Sequence, residues 1–76
     1  MWKIDLNQYI SESILESCRK QCLRVYPEYP AHFLGVSQDK ESLIAEITFP
    51  DGTFYFRVTE NSISSSYNTA EDADRA

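Results

Sequence analysis

Leu43-Ile44-Ala45-Glu46-Ile47-Thr48-Phe49-Pro50-Asp51-Gly52-Thr53-Phe54-Tyr55-Phe56-Arg57-Val58-Thr59 is the stretch that decides the fold. Leu43, Ala45, Ile47 and Phe49 alternate with Ile44, Glu46 and Thr48, and Phe54, Phe56 and Val58 alternate with Tyr55, Arg57 and Thr59. A period of two sends successive side chains to opposite faces of a strand, so each run presents one apolar face. The Asp51-Gly52 pair between the runs suits the positive φ angles of a two-residue type I′ turn. Pairing about that turn predicts Phe49 opposite Phe54, Ile47 opposite Phe56 and Ala45 opposite Val58, with Glu46 opposite Arg57 on the other face. A three-residue Pro50-Asp51-Gly52 loop would instead set Glu46 against Phe56, a mismatch of hydropathy and charge.

Working outward, Phe33, Leu34 and Val36 predict an earlier strand over 32–37, reaching the hairpin through the polar loop 38–42. Beyond Glu60, Asn61-Ser62 reads as a turn. Ile63 to Tyr67 offers an edge strand with Ile63 beside Val58, although its three serines bury little. Thr69-Ala70-Glu71-Asp72 opens like a capped helix, but only seven residues follow Thr69, too few to hold a helix alone. The expectation is a single α+β domain over 1–67 and an acidic tail over 68–76, frayed or forming a short helix.

Toward the N-terminus the period changes to 3.6. Ile10, Ile14, Leu15, Cys18, Cys22, Val25 and Tyr26 fall within one arc of a helix predicted from about Asp5 to Tyr26, with Glu12, Glu16, Lys20 and Arg24 outside it. Asp5 with Gln8 resembles a capping box, Ile4 is placed to staple onto Tyr9, and Asn7 is the competing cap. Acids lie early and cations late along this helix, matching its dipole, and Glu16 to Lys20 has favourable i,i+4 spacing. Tyr26-Pro27-Glu28-Tyr29-Pro30 ends it, because each proline disfavours α geometry in the residue before it. Pro27 and Pro30 also have the spacing of a polyproline II ligand, but a rigid link from helix to strand explains them without a partner. Together these elements predict one amphipathic helix packed on a three- to four-stranded antiparallel meander.

The chain has 76 residues, 42% of them hydrophobic, with four Phe, five Tyr and one Trp. That is enough for one small core and too apolar for a disordered chain. No apolar run is long enough to span a bilayer, and the first residues lack the pattern of a secretory leader. A soluble, cytoplasmic protein is expected. The net charge is −5. Residues 1–30 balance Lys3, Arg19, Lys20 and Arg24 against Asp5, Glu12, Glu16 and Glu28, so the excess lies entirely in the remainder. An acidic field repels phosphate backbones, which disfavours direct nucleic-acid binding, and it suits either solubility or attraction to a basic partner.

Conventional catalytic and metal chemistry finds no foothold. Cys18 and Cys22 stand four apart on the apolar arc, where Cβ atoms are too far apart for a disulfide, so both are expected as free, buried thiols. The single His32 has no second histidine with which to build a metal site. It also has no orienting group or oxyanion site nearby for nucleophilic catalysis. With Gly35 and Gly52 the only glycines, there is no phosphate-cradling loop. Asp39 with Glu41, and Glu71 with Asp72 and Asp74, lack the ligand series of a calcium loop. No cofactor, metal or enzymatic activity is expected.

The order helix, three strands, short helix is similar to that of double-stranded RNA-binding domains. The basic residues those domains carry at the second helix are replaced here by Glu71, Asp72 and Asp74. The likeness is one of topology, and topology does not carry function. By exclusion the sequence points to a small acidic protein-binding module, an adaptor, subunit or inhibitor, with oligomeric state open and a dimer among the options. One specific version is an inhibitor that occupies the basic, nucleic-acid-binding groove of its target. Tyr55, Ile44, Thr48 and Arg57 are expected on the sheet's outer face. The candidate binding residues are Tyr55 as anchor with Asp39, Glu41, Glu46 and Glu60 as steering charges. The rival class is a direct nucleic-acid binder using Arg19, Lys20 and Arg24.

Overall fold

The computed structural model describes residues 11–75. Helix α1 (Glu12–Val25) is followed by strands β1 (His32–Val36), β2 (Leu43–Phe49) and β3 (Gly52–Val58), then by helix α2 (Ala70–Arg75), an α+β fold. The strands form an antiparallel meander in the order β1-β2-β3.

α1 starts later than the sequence predicts. Ser11, extended at φ −69° and ψ 155°, is its cap and accepts the Ile14 amide at 3.3 Å. The expected caps Asp5 and Asn7, and the Ile4–Tyr9 staple, lie outside the described residues. Cys18 and Cys22 are buried, and Ile14, Leu15 and Tyr26 pack against the core as their arc requires. Val25 does not: it is 43% exposed, because the helix ends there. Tyr26 leaves helical geometry and places its ring 5.2 Å from Phe49 and 5.4 Å from Phe56, taking the core position instead. Glu16 pairs with Arg19 at 2.7 Å rather than with Lys20.

The hairpin register differs from the predicted one by two residues. Phe49 is opposite Gly52, Ile47 opposite Phe54, Glu46 opposite Tyr55, Ala45 opposite Phe56 and Ile44 opposite Arg57. Pro50 and Asp51, not Asp51 and Gly52, occupy the turn. Among the described residues Lys40 is the only non-glycine with positive φ, so Asp51 cannot serve a type I′ turn. Pro50 instead brings its fixed φ to the first central position, and Gly52 at φ +144° restarts the strand. An even shift keeps each side chain on its expected face. Leu43, Ala45, Ile47, Phe56 and Val58 therefore still meet Cys18 and Cys22 in one buried cluster.

In β1 the register slips between Phe33 and Gly35, leaving Leu34 as the extra residue of a bulge. Phe33 and Val36 are three apart and would face opposite sides of a regular strand. The bulge lets both join the core and turns Leu34 toward the other face.

That other face is covered where the sequence leaves it open. Ile44, expected on the exposed face, is fully buried, because α2 packs across β2 and β3. The choice between a frayed tail and a short helix thus resolves to a docked helix. Thr69 caps it, accepting the Asp72 amide at 3.0 Å, and Ala73 is fully buried. Between β3 and α2 the chain runs back along β3, bridging Val58 to Ile63 and Tyr55 to Tyr67. The Ser64 hydroxyl accepts the Arg57 amide at 2.9 Å in place of a backbone carbonyl, so the bridges stay isolated and do not extend into a fourth strand.

Candidate functional site

Arg57 organises the outer face. Its Nη1 donates to the carbonyl oxygens of Ala73 at 2.9 Å and Asp74 at 3.1 Å, while Nη2 donates to Asp39 Oδ2 at 2.7 Å. The last carbonyls of a helix lack partners within it, and a guanidinium fork satisfies two at once. Asp74 reaches back to the 38–42 loop, accepting the Gln38 amide at 2.6 Å and its side-chain amide at 2.8 Å. Asp39 also accepts from the Ser37 hydroxyl and, at 3.0 Å, from the Glu41 amide. These hydrogen bonds, with the charge of Arg57, hold the Asp39 carboxyl below its ordinary range.

The five sequence-predicted residues therefore do not form one patch. Asp39 is 46% exposed, but its carboxylate is taken up by Arg57, the Ser37 hydroxyl and the Glu41 amide. Glu41 is exposed in the same loop, and Glu60 is exposed after β3, where its charge helps raise the Cys18 thiol behind the larger effect of burial. The structure does bring Glu46 and Tyr55 together: they are opposite in register, and the phenol donates to Glu46 Oε2 at 3.3 Å. The sequence places Arg57 opposite Glu46, and the two-residue shift replaces it with Tyr55.

Glu46 and Tyr55 line an open groove of about 410 Å³ with Leu34, Asn68, Thr69, Ala70 and Glu71. Partial burial, then the carboxylates of Glu46 and Glu71, raise the Tyr55 phenol above its ordinary value, since each disfavours the phenolate. Ion pairs among the described residues take up Arg19, Arg57 and Arg75 with Glu16, Asp39 and Asp72, leaving Glu46 and Glu71 outside any of them. Sequence reasoning missed Leu34 and Glu71. The first is turned into the groove by the bulge. The second reads as solvated charge until the Tyr55–Tyr67 bridge carries α2 to the sheet. Of the rival set, Arg19 is tied to Glu16, and Lys20 and Arg24 are exposed on α1 near Leu23, which is 46% exposed.

Among the described residues no group of His, Cys, Asp and Glu is arranged to hold a metal ion, and no helix is long and apolar enough to cross a membrane. No protein-family model, curated protein or solved structure matches the chain.

Proposed function

We propose that this protein is a non-enzymatic binding module that docks on a basic protein partner through the acidic outer face of its sheet. The observation that carries the reading is the pairing of Glu46 and Glu71 around Tyr55 in an open groove, with neither carboxylate in an ion pair among the described residues. A half-buried aromatic anchor rimmed by like charges suits an interface in which the ring supplies contact area and the charges set the approach. The excess of acid in the second half of the chain extends the same field. An inhibitor that fills the basic, nucleic-acid-binding groove of its target is the most specific form of this role. We place that role in the cytoplasm, where two unpaired thiols remain reduced.

The test is affinity capture with the full chain from its native source, identification of the partner by mass spectrometry, and measurement of association as salt rises. A basic partner whose on-rate falls with salt supports the reading, because screening shortens electrostatic reach to about 8 Å at physiological ionic strength. A partner whose on-rate ignores salt and the Glu46→Gln and Glu71→Gln changes returns the acidity to a role in solubility.

A further inference from the structure

The groove on the outer face admits a more specific statement about what enters it, resting on the protein-binding reading above. Its floor and walls are chemically divided. Leu34 and Ala70 offer apolar surface, Tyr55 an aromatic group, and Glu46 and Glu71 two carboxylates. The groove is open to solvent, and its volume of about 410 Å³ leaves room for one long side chain laid along it.

We propose that this groove receives a single arginine side chain from an exposed basic segment of the partner protein. Charge complementarity sets the sign of the occupant. Two carboxylates lie within electrostatic reach of one phenol, and the nearest cation along β3, Arg57, is already neutralised by Asp39 and by two carbonyls at the end of α2. The N-terminus of α2 opposes this field only weakly. Its partial charge is at most about half an elementary charge even in a long helix, and Thr69 already accepts one of the amides there.

The mixture of walls selects arginine over lysine. A guanidinium is planar, stacks on an aromatic ring, donates to two acceptors in separate directions and sheds its water more readily than an ammonium. Its aliphatic stem would lie along Leu34 and Ala70. Lysine would bring one compact, strongly hydrated charge and leave much of the groove without complementary contact.

The test is a ¹H–¹⁵N NMR titration of the full chain with a capped hexapeptide of alternating glycine and arginine, and in parallel with its lysine counterpart. The expected shifts centre on Leu34, Glu46, Tyr55, Ala70 and Glu71. Affinity for the arginine peptide should exceed that for the lysine peptide. It should fall about tenfold or more in the Glu46→Gln/Glu71→Gln double variant, which removes charge-assisted hydrogen bonds while keeping acceptors for Tyr55. Retention of the unliganded spectrum shows that the double variant is folded, and Glu28→Gln, exposed beyond α1 and outside the groove, should leave affinity unchanged. Shifts centred on Glu12 and Glu16, or on Glu41 and Glu60, would overturn the groove as the receptor while leaving the protein-binding reading standing. Equal affinity for the two peptides would overturn the selection of arginine, and absence of shifts with either would overturn the proposal altogether. The wider reading is judged separately, by the partner capture and by whether the chain binds nucleic acid instead of a basic peptide.

Discussion

Arg57 and Asp39, eighteen residues apart, meet at 2.7 Å, and through that contact the β1–β2 loop, the sheet and α2 become one unit. The arginine side chain is only 14% exposed, so its charge depends on the partners the fold gives it. Replacing Arg57 by Ala should therefore destabilise the fold by about 1.5 to 3 kcal/mol, the range for hydrogen bonds to charged groups. Arg57→Lys should recover only part of this, since an ammonium cannot reproduce the fork. Amide exchange in α2 should accelerate more than exchange in β2, and protection unchanged across Ala73 and Asp74 would contradict the latch.

Truncation after Asn68 should be costly. It removes the helix that covers Ile44 and leaves Arg57 without its carbonyl partners. Uncovering one isoleucine alone is worth about 1.5 to 3 kcal/mol. A urea midpoint unchanged by the truncation would show that α2 adds nothing to the fold.

Much of the architecture is legible because it is local. The period of two in 43–59 and the period of 3.6 in 10–26 each follow from adjacent side chains, and among the described residues the structure keeps both apolar faces apart from Val25. The register is not legible from the Asp51-Gly52 signal, since Pro50 competes for the first central position of the turn and prevails. The docked α2 is harder still. Six residues cannot stabilise a helix by themselves, and this one rests on Arg57, Gln38 and Ile44, none of which announces a helix in sequence. The same non-local event makes the groove: Tyr55 and Glu46 are readable as sharing one face of the sheet, their direct opposition follows from the shifted register, and Glu71 reaches them only once α2 is in place.

Gly52 combines φ +144° with space in which an added Cβ would meet only the Phe54 ring at 3.7 Å. Gly52→Val should thus destabilise through the backbone and not through a clash, by about 1 kcal/mol or more. Gly52→Ala should share most of that loss. Thermal melts of both variants check the point, and a neutral valine variant would contradict the turn geometry.

Cys22 gives a pH signature. Burial, and then the neighbouring Cys18, push its thiol from an ordinary 9.0 up to about 11. Below pH 9.0 the thiol is neutral in both folded and unfolded chains and its contribution to stability is complete; above it the unfolded chain ionises first, so that contribution is lost as pH rises toward about 11. The loss amounts to roughly 3 kcal/mol for two pH units. Urea melts should show a steeper decline for the native chain than for Cys22→Ala over that window. Native thiol labelling should also be slow and accelerate on unfolding; rapid labelling of the folded chain would contradict the burial of both thiols.

The central claim, that the acidic face serves a basic protein partner, is tested most directly by fluorescence anisotropy of the full chain against labelled arginine–glycine hexapeptide, duplex DNA and duplex RNA. Each is titrated at about 50 mM and about 200 mM salt, a span over which phosphate contacts lose much of their affinity. The expected result is binding of the peptide that weakens with salt and is reduced in the Glu46→Gln/Glu71→Gln variant, with no binding of either nucleic acid. Tight, salt-sensitive binding of DNA or RNA, lost on replacing Arg19, Lys20 and Arg24 and accompanied by no affinity for the peptide, would contradict it.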